Sequence, residues 1–267
     1  MATSSFRLAL KRAFRRENRR LVIRNGRLEA ITFAKRQITL YLPPGYDDHA
    51  DRRYPVLYMQ DGQNLFDPTR SFIPGQTWRL SEAADSLIAE FKARPMIIVG
   101  IDNSGAGRID EYTPTHDAKR NVGGHADDYG RMLLEELKPH IDDTYRTLPD
   151  RAGTAVGGSS LGGLLSLHLA LTRPQAFSAA AVMSPSVWWD NRVILDELDR
   201  FRGRPPRLWL DTGGREGVEA LKDVRLLRDR LKAKGFDFRY HEDRRADHSE
   251  RAWASRAPMM LEYLFPI

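Results

Sequence analysis

The chain has 267 residues, of which 41% are apolar and 29% charged, a balance that suits one large globular domain or two small ones and excludes a disordered or fibrous chain. It contains no cysteine, which excludes a disulfide framework, a thiol nucleophile and a cysteine-ligated metal centre. No apolar run approaches the roughly 18 residues that would cross a bilayer, so no integral membrane segment is expected.

Charge is unevenly placed along the chain. The net charge is +6. The first twenty residues carry seven bases (Arg7, Lys11, Arg12, Arg15, Arg16, Arg19 and Arg20) against one acid, Glu17, and the remainder is neutral with 35 of each sign. A nucleic-acid binder would hold its basic surplus on a folded face, so no nucleic-acid partner is expected. Phe6, Leu10 and Phe14 fall on one side of a helix. Residues 1–20 therefore read as a basic tail or short helix, and 21–267 as a single domain. A secretory-length apolar leader is not seen, and the expected location is cytoplasmic.

In chain order, Leu21 to Ile23 and Leu28 to Phe33 flank Asn25-Gly26, a dipeptide favoured in hairpin turns. The alternating stretch Gln37 to Leu42 ends at Pro43-Pro44-Gly45. Strands then alternate with helices. Val56 to Met59 precedes a helix over Trp78 to Phe91, and Met96 to Ile101 precedes one over Asp127 to Tyr145. Ala152 to Val156 leads into a helix from Leu161 to Thr172, and Ala179 to Met183 into one from Val193 to Phe201. Leu208 to Leu210 is followed by a helix over Val218 to Lys234, stopped by Gly235. Phe238 to Tyr240 and a closing helix, Ala252 to Phe265, finish the chain. This order predicts an α/β fold: a mostly parallel central sheet with antiparallel N-terminal edge strands and helices on both faces.

Gly157-Gly158-Ser159-Ser160-Leu161-Gly162-Gly163 joins a predicted strand to a predicted helix. It contains G-x-S-x-G in one register, with Ser160 at the centre. Such a turn strains the serine backbone, so flanking residues must lack side chains, while the following helix aims its first amides at developing negative charge. A serine hydroxyl needs a base to take its proton and a carboxylate to orient that base. His248, in the polar loop before the closing helix, is the expected base in preference to His241 at the end of the last strand. Glu216, in the loop after Leu208 to Leu210, is the favoured acid, with Asp211 as the alternative. The amide of Leu161 and one from the loop after Val56 to Met59, best Gln63, are the expected oxyanion donors.

Several further strings share an order with these residues: Tyr41-Leu42-Pro43-Pro44-Gly45-Tyr46, Tyr54 to Phe66 with Asp61-Gly62-Gln63-Asn64, Arg108 to Pro114, Ser184-Pro185-Ser186-Val187-Trp188-Trp189 and His248 to Trp253. With them the chain resembles the esterase branch of the α/β-hydrolases that includes enterochelin (siderophore), feruloyl and acetylxylan esterases, esterase D and mycolyltransferases. Relatives of esterase D often carry His-Gly at Asp61-Gly62, so the siderophore-esterase side is the nearer. The resemblance implies Ser160 as nucleophile, His248 as base, Glu216 as acid, the Gln63 and Leu161 amides as oxyanion donors, and Trp188 and Trp189 beside the substrate. It implies no metal or cofactor. The expected activity is hydrolysis of a small-molecule ester, siderophore-type or short-chain. The rivals are transfer of the acyl group to an alcohol or sugar and a catalytically silent binding protein.

Overall fold

The structure, a computed structural model, describes residues 25–267. The basic segment with Phe6, Leu10 and Phe14, and the expected strand Leu21 to Ile23, lie outside the described residues.

The chain enters as a hairpin. Strands β1 (Arg27–Phe33) and β2 (Arg36–Leu42) pair antiparallel with Phe33 opposite Arg36. Their turn is Ala34-Lys35, both at positive φ (47° and 64°), as the twist of a two-residue hairpin demands. Just before β1, the Gly26 N–H donates to Asp85 Oδ1 at 2.9 Å.

Beyond the hairpin come β3 (Val56–Gln60), α1 (Leu80–Ala89), β4 (Ile97–Ile101), α2 (Arg108–Tyr112) and a short pair, β5 (His116–Asp117) and β6 (Val122–Gly123). Next is α3 (Ala126–Arg131), joined to α4 (Lys138–Thr144) by a π-helical stretch, Met132–Leu137. The rest is β7 (Thr154–Ser159), α5 (Leu161–Thr172), β8 (Ala179–Met183), α6 (Val193–Arg200), β9 (Arg207–Gly213), α7 (Val218–Ala233), β10 (Phe238–Asp243) and α8 (Glu250–Leu264). Helix α1 starts later than the expected Trp78 because Arg79 takes a left-handed conformation, φ 51°, while the Trp78 and Leu80 N–H groups bond the carbonyls of Asn64 and Leu65.

Eight strands form one sheet in the order β1-β2-β4-β3-β7-β8-β9-β10. The pairs β1/β2 and β2/β4 are antiparallel, and every other pair in the sheet is parallel. Alternation along the central strands supplies two cores. Val56 and Tyr58, with Ile97, Val99 and Ile101, face the layer containing α3 to α7. Leu57 and Met59, with Ile98, face α1 and α8. Helix α5 is buried on all sides from Leu161 to Leu171, which accounts for its mainly apolar composition without a polar face. Helix α8 buries Trp253, Ala257, Met260, Leu261 and Leu264, a single stripe at helical spacing. Ser249 caps it, accepting the Ala252 N–H at 3.3 Å.

Because β3, β7, β8, β9 and β10 run parallel, the loops after them all emerge at one edge. Clefts at the carboxyl ends of such strands are where open α/β sheets bind ligands.

Candidate active site

Ser160 follows the last residue of β7 with φ 58° and ψ −123°, a conformation glycine adopts freely and serine does not. The turn is held by backbone bonds. The Ser160 N–H donates to the Met183 carbonyl at 3.0 Å, and the Ser160 carbonyl accepts N–H bonds from Leu164 and Ser186, each at 3.0 Å. The motif glycines are explained by crowding. A Cβ on Gly158 would lie 2.8 Å from the Gly162 carbonyl group and 3.0 Å from Gln60 Cβ, so only glycine lets α5 approach the strands this closely.

The tight turn presents the Ser160 Oγ 3.0 Å from His248 Nε2. His248 stands just before the cap of α8, and its Nδ1 lies 2.9 Å from Glu216 Oε2. The loop after β9 supplies Glu216, whose side chain is 2% exposed while that of His248 is 43% exposed. The three groups come from loops far apart in sequence and form one chain of hydrogen-bond contacts. Burial works against the Glu216 charge, but hydrogen bonds from His248, Ser184 and the Gly213 N–H hold its carboxyl below the ordinary glutamate value.

The β3 loop stands opposite. Asp61 adopts a left-handed conformation (φ 57°), and its carboxylate takes a bidentate pair from Arg108 Nε and Nη2, both at 2.7 Å, with Asn103 Nδ2 also at 2.7 Å. Gly62 lies against β4, where a Cβ would meet the Gly100 carbonyl carbon at 2.4 Å. Gln63 follows, its side chain accepting the Asn103 N–H at 3.3 Å. Gln63 and Ser160 line one cavity of about 240 Å³ that His248 and Trp253 also border. Leu161 is the first residue of α5, where a backbone N–H has no partner within its helix.

The family described as "Putative esterase" matches residues 30–264. The chain belongs to that family. Among curated proteins it is 26% identical over 223 residues to the uncharacterized protein YbbA of Bacillus subtilis, covering 79% of this chain and 84% of that one. It is 31% identical over 163 residues to the ferri-bacillibactin esterase BesA of the same organism, covering 55% of this chain and about half (53%) of that one. Among solved structures, the BES protein from Bacillus cereus superposes with a TM-score of 0.73 at 22% identity, covering 94% of this chain and 98% of that one. An IroE-like serine hydrolase from Shewanella oneidensis does so with the same TM-score and identity, covering 90% and 80%. At such identities the likeness is one of fold, and that fold is the α/β-hydrolase.

The esterase assigns its other candidate residues different work. Asp211 lies inside β9, which runs three residues beyond the expected Leu210. It is fully buried, accepts the Trp209 indole N–H at 2.8 Å and the Ser184 N–H at 3.1 Å, and faces Arg256 Nη2 at 3.2 Å. Burial raises its pKa against the attraction of Arg256. His241 is a β10 residue opposite Asp211 in register, with its ring stacked on Trp209.

Trp188 and Trp189 depart from the expectation of substrate contact. Trp189 is 1% exposed and gives its indole N–H to the Thr115 carbonyl at 3.1 Å. It fills the core where the β5–β6 pair closes over it. Trp188 is 45% exposed with the Arg120 guanidinium 5.2 Å from its ring centre. Neither is among the residues lining the Ser160 cavity. The aromatic groups that do line it are Phe72, whose side chain is largely exposed, and Trp253, which meets the His248 ring edge-on at 4.9 Å between centroids.

Asn64 and Glu250 both line the Ser160 cavity and were not anticipated as site residues. Asn64 Nδ2 donates to Glu250 Oε1 at 3.0 Å, while Asn64 Oδ1 accepts the Phe72 N–H at 2.9 Å. One amide thus ties the β3 loop to α8 and to the Phe72 segment. Burial, then the nearby Asp61 charge, raises the Glu250 pKa above its ordinary 4.5. The folded state therefore favours protonated Glu250, and the resulting stabilisation is lost as pH rises from the ordinary value through the raised one. Glu250→Gln keeps an acceptor for Asn64 and removes the titration. The difference in Tm, variant minus wild type, is expected to grow between about pH 4 and pH 7. Thermal unfolding across that range checks it, and a difference independent of pH would contradict the assignment.

Proposed function

We propose that this esterase is a serine carboxylesterase working through an acyl-enzyme on Ser160. The observation that carries the reading is the unbroken relay from Ser160 Oγ to His248 Nε2 at 3.0 Å and from His248 Nδ1 to Glu216 Oε2 at 2.9 Å. An ionised Glu216 accepts the Nδ1 proton, which leaves the Nε2 lone pair for the serine hydroxyl. As Ser160 attacks the ester carbonyl, His248 takes its proton and then returns it to the departing alcohol. Water, activated by the same imidazole, attacks the acyl-enzyme and releases the acid. The Leu161 and Gln63 N–H groups hold the oxyanion of both tetrahedral intermediates, each donor contributing about 2.7–4 kcal/mol of barrier lowering.

Short-chain and siderophore-type esters are the favoured substrates. A cavity of about 240 Å³ accepts a small acyl unit, and the exposed Phe72 ring at its edge offers a face to a planar or apolar group outside it. Two curated relatives point the same way by name: the ferri-bacillibactin esterase BesA and the siderophore triacetylfusarinine C esterase of Aspergillus fumigatus, the latter 31% identical over 155 residues.

Stopped-flow mixing with p-nitrophenyl butyrate is expected to give a nitrophenol burst of one equivalent per enzyme, followed by slower turnover. A fluorophosphonate should abolish the burst and label Ser160. Turnover without labelling would rule out the covalent route. Added alcohols that divert most of the acyl group to new esters would make the enzyme a transferase.

A further inference from the structure

We infer that Ser184 is a positioning residue for the acid of the triad, and that buried Arg256 directs it. The inference rests on the Ser160–His248–Glu216 reading and adds the groups that decide which oxygen of Glu216 serves His248.

Ser184 follows β8 at φ 40°, and its N–H is drawn to Asp211, 3.0 Å from the carbonyl oxygen and 3.1 Å from Oδ1. Three groups surround its Oγ: Arg256 Nη2 at 2.9 Å, Trp253 Nε1 at 3.0 Å and Glu216 Oε1 at 2.5 Å. A guanidinium and an indole can only donate. They occupy both lone pairs of the hydroxyl, so its single hydrogen has one destination, Glu216 Oε1. The Gly213 N–H donates to that same oxygen at 2.6 Å. With Oε1 holding two donors, Oε2 remains for His248 Nδ1, and the imidazole is held in the tautomer that leaves Nε2 bare toward Ser160.

Arg256 is fully buried, and its Nε and Nη1 have no hydrogen-bond partner among the described residues. Pairing with Asp211 alone would not call for this arrangement. Nη2 lies within reach of Asp211 (3.2 Å) and Ser184 (2.9 Å) and only 3.8 Å from Glu216 Oε1, so one cation faces both carboxylates behind the histidine. The charged groups around the imidazole are thus Glu216, Asp211 and Arg256 behind it, with Glu250, Asp61 and Arg108 on the cavity side.

The test compares wild type with Ser184→Ala and Ser184→Gly, the glycine variant being free of the backbone strain that the positive φ imposes on alanine. Rates are divided by burst-titrated active sites, which removes any loss due to unfolding. Losing one hydrogen bond to a charged group is expected to lower kcat about ten- to a hundredfold with KM little changed. With one donor fewer, Glu216 carries more charge toward His248, so the acid limb of kcat/KM should move to higher pH. A merely structural serine would leave both kcat per site and the limb where they were, and that result in the glycine variant overturns the inference. Failure of the underlying triad is distinguishable, because wild type itself would then show neither burst nor fluorophosphonate labelling.

Discussion

Ser160→Ala is expected to lower kcat on p-nitrophenyl esters by a factor on the order of 10⁶, about 8 kcal/mol of barrier, while leaving the protein folded. The size follows from how the relay operates. In the proposed mechanism Ser160, His248 and Glu216 act as one unit, so deleting the nucleophile forfeits nearly everything the unit supplies and leaves only what the oxyanion donors and binding provide. The residual rate should therefore be insensitive to a further His248→Ala change, and the double variant should be about as slow as the single one. Steady-state kinetics with circular dichroism as the fold control reads this directly. A Ser160→Ala protein retaining more than a few per cent of wild-type kcat would end the acyl-enzyme account. Removing serine from a φ of 58° does not relieve the backbone, since alanine is no better suited to that region. No large gain in stability should accompany the loss of rate.

The second large effect separates the two candidate acids. Glu216→Gln preserves shape, yet its amide oxygen and nitrogen cannot serve Ser184, Gly213 and His248 as the ionised carboxylate does. An amide nitrogen facing His248 would stabilise the wrong tautomer, and the expected fall in kcat is about 10⁴-fold, near 5 kcal/mol. Asp211→Asn should act differently. Its carboxylate is the near partner of fully buried Arg256, and leaving that cation uncompensated should cost about 3–5 kcal/mol of folding stability. Denaturant titration should therefore find the large stability loss in Asp211→Asn, and burst-normalised kinetics the larger catalytic loss in Glu216→Gln. The reverse pattern would return the role of triad acid to Asp211.

Physical reasons separate what could be read along the chain from what could not. Short, nearly unbroken apolar runs on the central strands, and helical spacing between them, are local properties, so the sheet, its layers and most element positions were legible. Glycine spacing around Ser160 was legible for a related reason. A backbone forced to positive φ with its neighbours in contact admits few side chains, and that constraint is written within five consecutive residues. Boundaries were less well defined where the chain turns through a conformation no helix allows, as at Arg79, whose φ of 51° delays the helix expected from Trp78. The Ala34-Lys35 turn carried no sequence signal, because strand register forces two residues without glycine's freedom into positive φ.

The roles of Trp188 and Trp189 show the limit of a motif. The family resemblance implied a place beside the substrate for both tryptophans, but the sharp bend through Asp190 and Asn191, at φ 40° and 54°, accompanies one ring in the core and the other at the surface. Sequence by itself determined the chemistry that had to be sought: a strained serine, a histidine before the closing helix, and a carboxylate after the strand that precedes the last one. Tertiary structure alone decided which carboxylate faces the imidazole and which is committed to Arg256, because that choice depends on where β9 ends and on donors contributed by Ser184, Gly213 and α8. Hydrogen-bond partners so distant along the chain are matched by direction and distance in space, and neither quantity is encoded in residue spacing.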